Sequence, residues 1–233
     1  MIQAFVLGAL AQSSLILSGL LPYVMRIPDR VIGILAGVGA GALISAVAFD
    51  LVPEADVLPT VESALWLLVG AVIFIGLDGV VERRFGGEGE GGGGGALGIV
   101  LGSVVDGVPE SVIFGIQIAG GLPISIAFLA AVLVSNVPQA LAPSAELKTS
   151  GWSAARMTGM WGAVVLACGL AAVLGFVIAS NLDDATGARA AAIAAGGLLA
   201  MLTNSLIPFA YAKGGAPAGF ATVVGFGVAL AMT

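Results

Sequence analysis

The chain alternates between long apolar runs and short connections that carry charge, glycine or proline. A transmembrane helix needs about 20 mainly apolar residues, and we count eight candidate segments, named spans one to eight in chain order. They cover residues 2–23, 31–52, 63–81, 96–117, 124–145, 157–180, 188–208 and 218–232. Polar and glycine-rich connections are typical of turns. The pattern therefore predicts an all-α integral membrane protein with eight transmembrane helices, forming a single transmembrane domain over residues 1–233.

The composition supports the same class of protein. Hydrophobic residues make up 59% of the 233 residues and charged residues 9%, and the mean hydropathy is +1.11. A soluble domain carries roughly 25% charged residues, so we expect the surroundings of this chain to be a lipid bilayer. A net charge of -6 without a basic patch argues against binding to nucleic acid. The absence of histidine excludes histidine bases and histidine metal ligands, and no motif indicates a cofactor or an enzyme.

Basic residues are distributed unevenly between the two ends of the predicted spans. Arg189 lies near the sixth connection, and the other basic residues lie in odd-numbered connections. These others are Arg26, Arg30, Arg83, Arg84, Lys148, Arg156 and Lys213. Basic residues favour the cytoplasmic side, so the pattern predicts a multi-pass cell-membrane protein with both termini extracytoplasmic. Because no basic stretch precedes the first span, we expect that span to be retained rather than cleaved as a signal peptide.

Two glycine patterns predict how the spans are joined and packed. Residues 82–95 end in five consecutive glycines and are expected to form a flexible cytoplasmic linker. Weak cation collection by Glu88 and Glu90 stays open as an alternative. In span two, Gly33, Gly37 and Gly41 recur every fourth residue, which lets a neighbouring helix backbone approach closely. We expect this stripe to pack inside the chain, and a homodimer stays open as the alternative.

The most unusual polar positions lie in span four, where Asp106 and Glu110 interrupt an apolar run. Their spacing places both carboxylates on one face of a helix, and Pro109 leaves a carbonyl one turn earlier without its donor. No lysine or arginine lies in mid-span to neutralise them. Two such carboxylates repel each other, so either one is protonated or a cation lies between them. A purely structural alternative, in which both are protonated or hydrogen-bonded and bind nothing, stays open.

Span five repeats part of this motif, and a second pair of segments shows a similar match. Residues 105–110 (Val-Asp-Gly-Val-Pro-Glu) resemble residues 134–139 (Val-Ser-Asn-Val-Pro-Gln), and residues 50–53 (Asp-Leu-Val-Pro) resemble residues 205–208 (Ser-Leu-Ile-Pro). Proline-interrupted segments in corresponding halves of a membrane protein indicate a transporter's binding site. The predicted metal site comprises Asp106, Glu110, Ser135, Asn136 and Gln139, with Asp50, Asn204 and Ser205 along the path to it.

This ligand set consists of oxygen atoms, which suit Mg²⁺, Ca²⁺ or Mn²⁺ better than Zn²⁺ or Cu⁺. The amide and hydroxyl residues have an alternative, because such side chains commonly hydrogen-bond across membrane helices. Asp50 and Asp78 lie near span ends, where a solvated or capping role is an equal alternative. We expect Met157, Met160 and Met201 to be packing residues.

At these motifs the chain resembles the zinc/iron-regulated (ZIP) family of metal transporters. The family's span-four motif, of the type His-Asn-x-Pro-Glu-Gly, reads Asp-Gly-Val-Pro-Glu-Ser over residues 106–111. The span-five motif, of the type His-x-x-Pro-Glu, reads Ser-Asn-Val-Pro-Gln over residues 135–139. The corresponding patterns of spans two and seven read Asp-Leu-Val-Pro-Glu-Ala over residues 50–55 and Ser-Leu-Ile-Pro over residues 205–208. The prolines keep their places, while most ligand positions are substituted.

The resemblance implies an inverted-repeat transporter bundle of eight helices, with a binuclear metal centre between spans four and five. It also implies alternating-access transport of a divalent metal cation, as substrate, into the cytoplasm. Two alternatives are carried forward. The substituted ligand positions favour a ZIP-like membrane protein that no longer transports and has an interaction or regulatory role. The buried carboxylates also allow a proton-coupled transporter of another solute.

Overall fold

The computed structural model describes residues 1–52, 58–85, 94–121, 124–181 and 184–232. Within these ranges all regular secondary structure is helical, which confirms the all-α part of the prediction. Span one consists of helices Ile2–Gln12 and Ser14–Val24, and span two of helix Asp29–Ala46 and the π-helical turn Val47–Leu51. Spans three to six are Thr60–Phe85, Gly94–Ala119, Ile126–Thr149 and Ala154–Asn181. Span seven contains Asp184–Met201, the π-helical turn Leu202–Leu206 and Ile207–Gly214, and span eight is Ala216–Leu230.

Seven of the described spans are long and apolar enough to cross a membrane, as expected for a multi-pass membrane protein. Span eight has only 15 residues. It nevertheless runs alongside span two, because Ala218 lies against Gly37 and Thr222 lies against Gly41. Both helices therefore advance in the same direction along this contact.

The connections are shorter than the sequence pattern predicted. Span three continues to Phe85 and span four begins at Gly94, so only the middle of the predicted linker 82–95 separates them, and residues 86–93 lie outside the described residues. The predicted gap between spans seven and eight, from residue 208 to residue 218, is too long, because helix extends to Gly214 and resumes at Ala216. Gly215 alone makes this turn with a φ of 63°, a conformation that glycine adopts at little cost.

Three pairs of neighbouring spans share one glycine arrangement. In each pair, a Cβ added to either glycine would clash with the carbonyl oxygen three residues before the partner glycine. The pairs are Gly41 with Gly225 on spans two and eight, Gly70 with Gly196 on spans three and seven, and Gly115 with Gly175 on spans four and six. Small residues let helix backbones approach closely in membranes. The span-two stripe is thus confirmed to pack inside the chain.

The ends of the spans sort into two faces. At one face, the Lys213 ammonium forms an ion pair of 2.7 Å with Asp29, and Lys148 donates to the carbonyl oxygen of Pro22. We call this end, which also carries Arg26 and Arg156, the basic face. At the opposite face, Arg189 pairs with Glu62 at 2.9 Å, and Ser125 bonds to Asp50. The basic residues therefore separate in space as the predicted alternation of spans requires.

The buried apolar side chains form two clusters. The larger cluster is built mainly from spans two, four, five and seven and contains Met201 and the rings of Phe114 and Phe128, which are tilted by 34° to each other. The smaller one, from spans one, four, five and six, contains Met157 and Met160. These three methionines are buried, which confirms their predicted packing role. The clusters hold spans one, four and five together around the candidate site.

Candidate functional site

Glu110 lies in the middle of the bundle and is only 1% exposed. Its Oε2 atom accepts a hydrogen bond of 2.8 Å from the side-chain nitrogen of Gln12 on span one. Its other oxygen, Oε1, has no hydrogen-bond partner among the described residues. A buried carboxylate oxygen without a donor is costly, so this atom is available to a proton or to a cation.

Span one is interrupted where it meets this carboxylate. Its helix stops after Gln12 and resumes at Ser14, and the Ser13 hydroxyl turns back to donate to the carbonyl oxygen of Leu10 at 2.7 Å. The amide nitrogen of Asn136, on span five, donates both to the Ala11 carbonyl oxygen at 3.2 Å and to Gln12 Oε1 at 3.0 Å. A side chain inserted into the backbone ladder is a usual cause of such a break.

Gln12, Glu110 and Asn136 therefore form a continuous hydrogen-bonded chain across spans one, four and five, which we call the Glu110 cluster. Gln12 and Asn136 are each 1% exposed. Each amide group has a defined role, because the nitrogen of Gln12 faces the carboxylate and its oxygen faces Asn136. The sequence prediction included Glu110 and Asn136 but missed Gln12. The signal available was the polar run Gln12-Ser13-Ser14 in the middle of an apolar span.

Gly107 makes room for this cluster. A Cβ added at Gly107 would lie 2.6 Å from the sulfur of Cys168 on span six and 3.5 Å from the side-chain amide of Gln12. The missing side chain on span four thus lets groups from spans one and six approach the backbone between Asp106 and Glu110. Cys168 is fully buried there.

A cavity of about 190 Å³ lies on the side of the cluster toward the basic face, and we call it the site cavity. Asp106 borders it one helical turn before Glu110, and Gln139 and Ser205 border it from spans five and seven. The rest of its wall consists of Ser103, Pro138, Ala142, Pro143, Leu206 and Phe209. The cavity therefore brings one carboxylate together with amide and hydroxyl oxygens.

Asp50 does not share this cavity. Its carboxylate accepts a hydrogen bond from the hydroxyl of Ser125 at the opposite face. The same hydroxyl accepts a bond of 3.0 Å from the backbone nitrogen of Phe128 and caps span five. Asp50 therefore holds the serine that caps span five rather than capping a helix itself, and Asp50 does not border the cavity that Ser205 borders.

Two other predicted residues also lie away from the site cavity. Ser135 packs against Gly39 of span two, and its hydroxyl donates to the Val132 carbonyl oxygen of its own helix at 3.0 Å. Asn204 is exposed at the surface of the bundle. Neither residue borders the cavity in the part of the chain that the structure describes. Both positions follow from how each span is rotated about its own axis. That rotation depends on packing between spans and not on the sequence of one span alone.

The predicted site is therefore divided into two compartments. Asp106 and Gln139 border the site cavity, whereas Glu110 and Asn136 lie one turn deeper in the Glu110 cluster. Across the described ranges, no three Asp, Glu, His or Cys side chains are close enough to hold a metal ion together. Any cation held here would therefore depend on amide, hydroxyl, carbonyl or water oxygens in addition to the carboxylates.

Comparison with known proteins assigns no family to this chain, since no family model matches it and no curated protein matches its sequence. The case for a function rests on the chain's own residues. Its main elements are a buried carboxylate with one oxygen available and a neighbouring polar cavity in the membrane-spanning part of the bundle.

Proposed function

We propose that this protein transports a hydrated divalent metal cation across the membrane, in the manner of the ZIP family that it resembles. The observation that carries the proposal is the site cavity, which brings Asp106 and Gln139 together from spans four and five. Glu110 lies one turn deeper, at about 6 Å along the helix axis. Ionisable residues inside membrane spans mark ion pathways in general.

The shape and chemistry of the site cavity favour a cation that keeps part of its hydration shell. At about 30 Å³ for each water molecule, 190 Å³ accommodates an ion with several waters. Mg²⁺ binds in this way, through one or two carboxylates and retained waters, and Mn²⁺ shares its preference for oxygen. The Asp106 carboxylate and the Gln139 carbonyl are the direct ligands in this proposal. A closed binuclear centre would need more carboxylates than these residues supply.

The Glu110 cluster supplies the next step. A cation that reaches Glu110 can bind Oε1, which has no hydrogen-bond partner among the described residues. To use both oxygens of Glu110, it must displace the amide nitrogen of Gln12 from Oε2. In this proposal Gln12 is therefore the residue that a cation displaces on its way past Glu110, and we expect span one to move at its break beside Gln12.

The arrangement of the spans supports alternating access between two related halves. The π-helical turns of spans two and seven each end two residues before a proline, Pro53 or Pro208. The glycine arrangement of spans two and eight also recurs in spans seven and three. Both likenesses fit inverted repeats in which span two corresponds to span seven and span three to span eight. The basic face is then cytoplasmic, and transport is directed inward.

Uptake into proteoliposomes tests this function. Purified protein would be reconstituted, and entry of Mn²⁺, Mg²⁺, Zn²⁺, Fe²⁺ and Cd²⁺ would be measured for wild type, Asp106→Asn and Glu110→Gln. We expect the uptake rate of both variants to fall by a factor of about ten or more. Even residues that only hold a metal ligand in position have effects of that size. Glu146→Gln is the matched control, because this carboxylate is exposed at the basic face.

The outcomes separate the proposal from its two rivals. Absence of uptake of every cation by wild type contradicts transport and favours an interaction or regulatory role. The substituted ligand positions and the lack of a three-ligand acidic cluster in the described residues favour that rival. Proton movement that needs Glu110 but no metal would instead identify a proton-coupled transporter of another solute. Equal metal uptake by wild type and Glu110→Gln would show that the cation path does not depend on Glu110.

A further inference from the structure

A second cavity, of about 360 Å³, opens at the basic face between the end of span one and the end of span five. We call it the interfacial cavity. Two basic side chains, Arg26 and Lys148, contribute to its wall together with Thr149. The rest of the wall is apolar and consists of Pro22, Met25, Ile27, Ile32, Leu141 and Ala145. The cavity is therefore amphipathic. It lies at the ends of spans one and five, away from the Glu110 cluster.

The two basic side chains differ in how firmly they are held. The Lys148 ammonium donates to the Pro22 carbonyl oxygen at 2.7 Å and lies 5.5 Å from the centre of the Tyr23 ring. An ammonium has three donors, so further hydrogen bonds remain available to a ligand. Arg26 is exposed. The ion pairs between described residues involve Arg189 and Lys213, so Arg26 has no acidic partner in that part of the chain.

Aromatic side chains place this cavity at the depth of the lipid headgroups. The Tyr23 hydroxyl donates to the Trp152 carbonyl oxygen at 2.6 Å, and the Arg156 guanidinium lies 3.8 Å from the centre of the Trp152 ring. Tyrosine and tryptophan are enriched at the boundary between membrane and water. Basic pockets at the ends of transmembrane helices bind anionic lipid headgroups in other membrane proteins.

We propose that the interfacial cavity binds one anionic phospholipid of the surrounding leaflet. The phosphate lies between Arg26 and Lys148, and the upper part of an acyl chain lies against the apolar wall. Free phosphate offers the same charge, but it would leave that apolar wall in contact with water. A zwitterionic lipid offers the same acyl chains, but its headgroup carries a positive charge toward two basic residues. The inference does not depend on cation transport.

Native mass spectrometry of the full chain in detergent tests this site. Phosphatidylglycerol or phosphatidylcholine would be titrated into wild type and into the double variant Arg26→Gln/Lys148→Gln. One basic residue near an anionic lipid surface is worth a factor of about five, so we expect about 25-fold weaker phosphatidylglycerol binding. The double variant Arg83→Gln/Arg84→Gln is the matched control, because it removes the same charge from the end of span three. It should retain wild-type binding.

Further measurements separate lipid from phosphate and binding from folding. Ala145→Phe fills the cavity without changing charge and should also weaken phosphatidylglycerol binding. Arg26→Gln alone, which removes no ion pair between described residues, should weaken it about fivefold with an unchanged circular dichroism spectrum. Equal losses in the two double variants, or equal binding of phosphatidylcholine, would overturn the proposal. Displacement of the lipid by inorganic phosphate, while Ala145→Phe still binds lipid as wild type does, would assign the site to phosphate alone.

Discussion

Replacing Gln12 with leucine tests the central structural element of the site. Leucine preserves much of the volume but removes the bond to Glu110 Oε2 and the bond from Asn136. Asn136 keeps its second acceptor, the Ala11 carbonyl oxygen. The Glu110 oxygen keeps no donor among the described residues, so most of the energetic effect should arise at the carboxylate.

The expected loss of stability follows from these two bonds. Hydrogen bonds between membrane helices contribute about 0.6 kcal/mol on average and about 1.7 kcal/mol at most, so two average bonds together contribute about 1 kcal/mol. A buried acceptor left without its donor costs about 1–3 kcal/mol. We therefore expect Gln12→Leu to lower the free energy of unfolding by about 1–3 kcal/mol. Gln3→Leu makes the same chemical change at an exposed position of span one and should change it by less than about 0.5 kcal/mol.

Reversible unfolding in mixed micelles by titration with sodium dodecyl sulfate, followed by tryptophan fluorescence, would measure these differences. A double-mutant cycle of Gln12→Leu with Asn136→Leu should give a coupling energy of about 0.5 kcal/mol or more. The cycle with Gln139→Leu should give none, since Gln139 borders the site cavity instead. A loss below about 0.5 kcal/mol for Gln12→Leu, or equal coupling in both cycles, would refute the Glu110 cluster as an energetic unit.

Two further substitutions test the packing around the site by the same unfolding measurement. Gly107→Ala should cost about 1–3 kcal/mol, because its Cβ would lie 2.6 Å from the Cys168 sulfur, and Cys168→Ala should recover part of the loss. Gly102→Ala, on the same span with no atom within 4 Å of its Cβ, should be neutral or stabilising; a similar loss at both glycines would contradict the steric argument. Ser125→Ala removes the cap of span five and the bond to Asp50, so it should lower the free energy of unfolding by about 1 kcal/mol. An unchanged stability would show that these bonds do not stabilise the fold.

Much of the architecture follows from local patterns. Apolar runs long enough to cross a bilayer predicted the spans, and the glycine stripe of span two predicted close packing inside the chain, because these are properties of one helix and its sequence. The boundaries were less accurate where helix continued into polar residues. Arg83 and Arg84 fall inside the last turn of span three, since a helix can extend beyond the apolar run that identifies it.

The candidate site was predictable only in part. Four-residue spacing placed Asp106 and Glu110 on one face of span four, but it did not separate the cavity residue from the buried one. Glu110 differs from Asp106 because it is bonded to Gln12, a residue 98 positions away in the chain. A contact between distant spans leaves no periodic signal in either span. The polar residues at the break in span one were visible in the sequence, but their partner was not.

The sequence by itself determined that the chain is helical and apolar, where its spans lie, and which polar residues are placed within them. The tertiary structure alone decided which of these residues meet. Ser135 turned toward Gly39, Asp50 toward Ser125, and Asn136 toward the break at Gln12. The physical reason is that helical periodicity fixes the relative angles of side chains within a span. The rotation and depth of each span are instead fixed by close backbone packing at glycines contributed by other spans.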